Sequence, residues 1–150
     1  VKVFISYSSI DLTFARKAKA YIESAGYTAY VSEFDMSAGT KLTDELKVQI
    51  RNSQAFVLLW SKHAKSSEWV SQEIGIAQGD DIPVIPVILD DEPSLPGFIA
   101  NLKYVRAADD SEKALKDLRN AVTSQLEKKS SGGLIVAAVV ILLLALNTKQ

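Results

Sequence analysis

Ala55-Phe56-Val57-Leu58-Leu59-Trp60 is an unbroken apolar run, closed by polar residues on both sides, Ser53-Gln54 before it and Ser61-Lys62 after it. It is too short for a helix and too continuous for a strand with one wet face, so it reads as a strand buried on both faces. A second run of this kind, residues 82–89 (IPVIPVIL), lies downstream, and Pro83 and Pro86 limit where it can pair. Strands covered on both faces call for a parallel sheet between two helical layers. The remaining chain supplies them. Residues 1–6 (VKVFIS), 28–31 (TAYV) and 103–106 (KYVR) are short strands rich in β-branched and aromatic residues. Between the strands, apolar residues recur at helical spacing: Leu12, Ala15, Ala18, Ile22 and Ala25 after the N-cap candidate Asp11, and Leu46 and Ile50 after Thr43. Val70, Ile74 and Ala77 follow a cap at Ser66 or Ser67, and Leu115, Leu118, Val122 and Leu126 form the last stripe. Residues 32–41 read as a loop whose Gly39 suits a positive φ. The expected architecture is a flavodoxin-like three-layer α/β fold over residues 1–127. Its five-stranded parallel sheet has the order 2-1-3-4-5, with helices on both faces.

Composition closes off several function classes. Seventeen basic against eighteen acidic residues leave a net charge of -1, without the basic excess that phosphate neutralisation demands, so nucleic acid is not an expected partner. The absence of cysteine removes disulfides, thiolate zinc sites and thiol catalysis, and a single histidine leaves no credible metal cluster. No G-x-G-x-x-G or G-x-x-x-x-G-K follows the first strand, so neither phosphate cradle is present. A receiver domain needs acidic residues after strand one and an Asp ending strand three. Here those places hold Ser6-Tyr7-Ser8 and Trp60-Ser61.

The C-terminal region differs from the rest. Residues 134–146 (LIVAAVVILLLAL) are apolar throughout, and Lys129 and Lys149 bracket nineteen uncharged positions, roughly 28 Å of helix. With no polar face to turn outward, this stretch is expected to be a single transmembrane helix over 134–148, joined through a Ser/Gly spacer at 128–133. Lys128 and Lys129 against Lys149 would keep the domain cytoplasmic. Residue 1 falls inside a strand, so the sequence is expected to be trimmed from a longer chain.

Open parallel sheets bind ligands beyond the carboxyl ends of the strands where the strand order reverses. In the order 2-1-3-4-5 that crevice lies between strands one and three, at Ser6-Tyr7-Ser8-Ser9 and Trp60-Ser61-Lys62-His63. Trp69 and Glu73 are four apart on the following helix, hence on one face, and are expected at the crevice rim and not in the core. Bland readings compete. Glu73 could be a solvated helical carboxylate, Trp69 a packing aromatic and His63 a solvated loop residue. Asp90-Asp91 resembles a metal pair but also an ordinary turn, and Asp80-Asp81 a helix exit.

Taken together, these segments resemble the Toll/interleukin-1 receptor (TIR) domain family, in its prokaryotic form. Val3-Phe4-Ile5-Ser6-Tyr7-Ser8-Ser9, with Asp11, resembles its box 1, and residues 34–40 with Gly39 resemble its BB loop. Residues 52–61 followed by Ser67-Glu68-Trp69-Val70-Ser71-Gln72-Glu73-Ile74 resemble its third strand and S-x-W-x-x-x-E helix, and residues 82–87 its fourth strand. Val70 departs from the Cys that many members carry after the Trp. Many TIR domains cleave NAD+ at the nicotinamide–ribose bond, giving ADP-ribose or a cyclised form. Others only self-associate. The resemblance implies NAD+ as substrate, no cofactor and no metal, with Glu73 as catalytic carboxylate. It puts Ser6, Tyr7, Ser8 and Trp69 around the substrate and self-association at Phe34, Asp35, Ser37 and Gly39. It further implies other TIR domains as partners and a signalling role such as phage defence. A nucleoside deoxyribosyltransferase has a related fold, but its extra acidic ligands have no counterpart here.

Overall fold

The computed structural model describes residues 2–31, 43–91 and 94–147, with side chains described as far as residue 131. Strands β1 (Lys2–Ser6), β2 (Thr28–Val31), β3 (Ala55–Trp60), β4 (Val84–Ile88) and β5 (Val105–Arg106) form one parallel sheet in the order β2-β1-β3-β4-β5. Helices α1 (Leu12–Ser24) and α5 (Ser111–Asn147) belong to one layer, and α2 (Asp44–Arg51) and α4 (Glu68–Gly79) to the other; α3 (Lys62–Lys65) is a single turn after β3. All of β3 is buried, as its composition requires. Ala55, Val57 and Leu59 join the core under α1 and α5, while Phe56, Leu58 and Trp60 join the core under α2 and α4. Phe4 is stacked between Tyr30 of β2 and Phe56 of β3, at centroid distances of 5.5 Å on each side.

The strand prolines are placed where they cost no ladder bond. Phe56 N–H donates to Pro83 O at 2.9 Å and Leu89 N–H donates to Trp60 O at 2.8 Å. Alternation then turns residues 85 and 87 toward β3 and the missing N–H of Pro86 toward the outer edge, where β5 pairs only with Val87 and Ile88.

Local signals act as the residue chemistry demands, with two exceptions. Thr43 Oγ1 accepts from Leu46 N–H, and Ser67 Oγ accepts from Val70 N–H, so Ser67 and not Ser66 caps α4. Asp11 does not cap α1. It ends a 3-10 turn (Ser9–Asp11), and its carboxylate accepts a 2.6 Å hydrogen bond from Ser61 Oγ, tying the exit of β1 to that of β3. Ser61 also accepts from Ala64 N–H and so starts α3, an element the periodicity gave no sign of.

The backbone of α5 is continuous through residues 128–133, and among the described side chains the last buried one of its stripe is Leu126. Among the described residues no helix is long and apolar enough to cross a membrane. The side chains of the segment expected to span, 134–148, lie outside the described residues, as do Phe34, Asp35, Ser37 and Gly39.

Leu58 has no exposed surface and lies at the centre of the sheet. Leu58→Ala is expected to destabilise the domain by about 3 kcal/mol through the cavity left behind, measured as the shift in urea midpoint at unchanged m-value.

Candidate active site at the switch point of the sheet

Between β1 and β3 the chain leaves in opposite directions, which opens a crevice beyond their carboxyl ends. Strand alternation turns Phe4 and Ser6 to the face covered by α2 and α4. Ser6 is 1% exposed, and the Glu73 side chain comes down from α4 beside it at 6% exposed. The expectation of Glu73 at the rim is therefore corrected. It stands three residues after Val70 and four before Ala77, so it shares the core-facing stripe. Trp69 is half-buried and packs against the same α2/α4 core.

Burial raises the Glu73 carboxyl to a pKa of about 8, and the nearby Ser6 hydroxyl opposes that rise. The two do not meet in hydrogen-bonding geometry, because Glu73 Oε2 and Ser6 Oγ each lack a partner. Such atoms cost about 1–3 kcal/mol apiece, and a pair of them facing one spot is an arrangement that a bound polar group would complete.

A third polar group at this face was missed in the sequence. Tyr30 projects from β2 onto the α2/α4 core, and its phenol pKa is raised by burial, then by the charges of Glu45 and Glu73. The signal was available: Tyr30 has the strand parity that places it beside Phe4, two residues before Ser6.

Other expected site residues are dispersed. Tyr7 packs against the α1/α5 core, across the sheet from Glu73. Ser8 is buried at 9% exposure, and its carbonyl accepts from Asp11 N–H. Ser61 is committed to Asp11 and α3. Asp90 Oδ2 accepts from Lys62 N–H at 2.9 Å, which explains the Asp90-Asp91 turn without a cation. Among the described residues no group of His, Asp and Glu could hold a metal ion. Two surface cavities, of about 440 Å³ between α2 and α4 and about 310 Å³ beside β4 and α5, are not lined by Glu73.

Residues 3–119 match the family model for the TIR domain, and the chain belongs to that family. No curated protein sequence gives a significant match. Among solved structures, the TIR domain of the Toll-related receptor TRR-2 from Hydra magnipapillata superposes with a TM-score of 0.65 at 18% identity, covering 82% of this chain and 96% of that one. The metazoan TIR-STING receptor from C. gigas, solved in complex with 2',3'-cGAMP, gives 0.61 at 25% identity, over 78% of this chain but only 38% of the receptor. The heterodimer of the RPS4 and RRS1 TIR domains gives 0.65 at 14% identity, over 83% and 98%.

The raised carboxyl has a stability signature. Glu73 titrates at about 8 when folded against about 4.3 when unfolded, so the folded state binds the extra proton. Its contribution is fully present below pH 4.3 and is lost as the pH rises to 8 and above, on the order of 5 kcal/mol in all. Glu73→Gln is expected to flatten this decline, leaving the variant more stable than wild type at pH 8, as checked by urea unfolding at pH 5 and 8.

Proposed function

We propose that this TIR domain is an NAD+ glycohydrolase in which Glu73 is the catalytic carboxylate. The observation that carries the reading is the buried Glu73 carboxyl, with its unpartnered Oε2 beside the unpartnered Ser6 hydroxyl at the switch point. The chemistry asks for little else. Nicotinamide leaves its pyridinium as a neutral base: the ribosyl C–N bond breaks, its electron pair stays on nitrogen, and no general acid is needed. What remains is an oxocarbenium-like ribose, whose positive charge a single desolvated carboxylate can stabilise. The substrate's own cationic ring favours the carboxylate form of Glu73 as it enters. Ser6 and Glu73 engage ribose hydroxyls, and half-buried Trp69 keeps water from screening the charge. Water then adds to the ribose carbon and releases a proton, or an adenine nitrogen adds instead and closes a ring.

The apolar segment 134–148 is proposed to anchor the protein in a membrane, domain on the cytoplasmic side, where confinement to a plane favours self-association in defence signalling. A second reading is a non-catalytic module that assembles through homotypic contacts of residues 34–40, with the groove beside β4 and α5 as a further surface. Two-residue β5 leaves Val84 and Ile85 uncovered there, a surface that another TIR domain could use.

Nicotinamide release from NAD+, followed by chromatography in detergent and on lipid vesicles, tests the choice. Wild type is expected to release it, and folded Glu73→Ala to lose at least about 10²–10³-fold. Release by Glu73→Ala equal to wild type would sink the enzyme reading. Silence of clustered wild type would favour assembly, with Phe34→Ala and Gly39→Pro then expected to dissolve the oligomer.

A further inference from the structure

We propose that the amino end of the sheet, where the strands begin, is the surface this protein lays against a lipid bilayer, and that the Glu73 crevice opens away from the membrane. The inference rests on the reading of residues 134–148 as an anchor and on no step of the chemistry proposed for Glu73.

The path of α5 decides which end of the domain lies next to the anchor. The helix starts at Ser111, shortly after β5 ends at Arg106, and so begins beyond the carboxyl ends of the strands. It then runs back against the strand direction. Ala121 and Gln125 line one groove with Pro83, Val84 and Ile85 at the start of β4, and with Leu102 and Lys103 just before β5. The Arg119 guanidinium lies 6.0 Å from the ring centroid of Tyr21, late in α1, which leads into the start of β2. The chain after Leu126 therefore leaves the domain at the amino end of the sheet. Its backbone stays helical to Asn147, so residue 133 stands about 12 Å beyond Gln125, and the apolar run follows at once. The crevice lies at the opposite end, where Ser6 closes β1. Six-residue β3 is about 20 Å long, which puts the crevice about 30 Å from the start of the apolar run.

The residues at the amino end suit a headgroup layer. Tyr104, directly before β5, is 51% exposed, an aromatic body with a polar tip of the kind enriched at membrane interfaces. Lys103 beside it and Lys128 and Lys129 on the departing helix are exposed cations. Asp80, in the turn after α4, is paired with Arg51 at 3.4 Å, which lessens its repulsion from anionic lipid. Asp81 and Glu127 offset part of the positive charge, so the apolar anchor and not net charge supplies the affinity. In this orientation a water-soluble dinucleotide reaches the crevice from the aqueous side, without crossing the headgroups.

The chain has no cysteine, so single-cysteine variants each carry one fluorophore without background. The full chain is labelled at Asn52→Cys, exposed at the amino end, or at Ile10→Cys, 68% exposed beside the exit of β1. Each is reconstituted in phosphatidylcholine–phosphatidylglycerol vesicles with and without a headgroup-spin-labelled lipid, which quenches only nearby fluorophores. The probe at residue 52 is expected to lose most of its fluorescence, and the probe at residue 10 none beyond the control without spin label. The reverse order, or equal losses at both positions, none included, overturns the proposal. Ser24→Cys and Lys65→Cys mark the same two ends and decide the matter if either first variant does not fold. Flotation separates the two readings. A chain that floats with the vesicles but fails the quenching test removes the orientation and leaves the anchor, whereas one that does not float removes both.

Discussion

Everything in this domain is arranged around a strand that cannot touch water. With Phe56, Leu58 and Trp60 on one side of β3 and Ala55, Val57 and Leu59 on the other, a single helical layer would leave three of these side chains in solvent. Two layers are obligatory, and a parallel sheet with helical crossovers is how one chain builds them. The order of the strands follows from chain direction, and the order creates the crevice between β1 and β3. The position of the candidate site is thus a by-product of burying β3.

Glu73 works against that economy. A carboxyl in the core-facing stripe of α4 replaces what would otherwise be an apolar contact, and it leaves two polar atoms without partners. Stability alone would favour an apolar side chain there. Sites that do chemistry commonly hold such local conflicts, because a group already stripped of water interacts strongly with the charge that arrives. The surrounding structure is well placed to carry the penalty. The aromatic stack spans β2, β1 and β3 beneath the site, and the Ser61–Asp11 bond holds the exits of β1 and β3 together.

The fold was legible because its decisive signals are short-range: the continuous apolar run of β3, the stripes of α1, α4 and α5, and caps such as Thr43. The TIR family was legible for a related reason, since its motifs sit at strand ends and on α4. Burial of Glu73 was misjudged because attention went to its four-residue spacing from Trp69. Its three-residue spacing from Val70 decides which way it faces. The place of Tyr30 beside Phe4 depends on pairing between strands separated by a helix, and no local pattern in TAYV announces a neighbour on β1. Asp11 was read as a helix cap and Ser61 as a crevice residue, since a bond between residues fifty positions apart leaves no periodic trace.

Pro86 has a consequence for how the protein tolerates crowding. A sheet margin normally invites foreign strands, because its free amide protons and carbonyls form a template for intermolecular zippering. On β4 the outward position next to the two-residue β5 is occupied by a residue with no amide proton, so an invading strand would find the ladder broken at its first rungs. Insoluble sheet-to-sheet growth is thereby discouraged at the margin where the fold is thinnest. A domain built this way can reach high local density while its encounters stay on side-chain surfaces, which are reversible and can be selective.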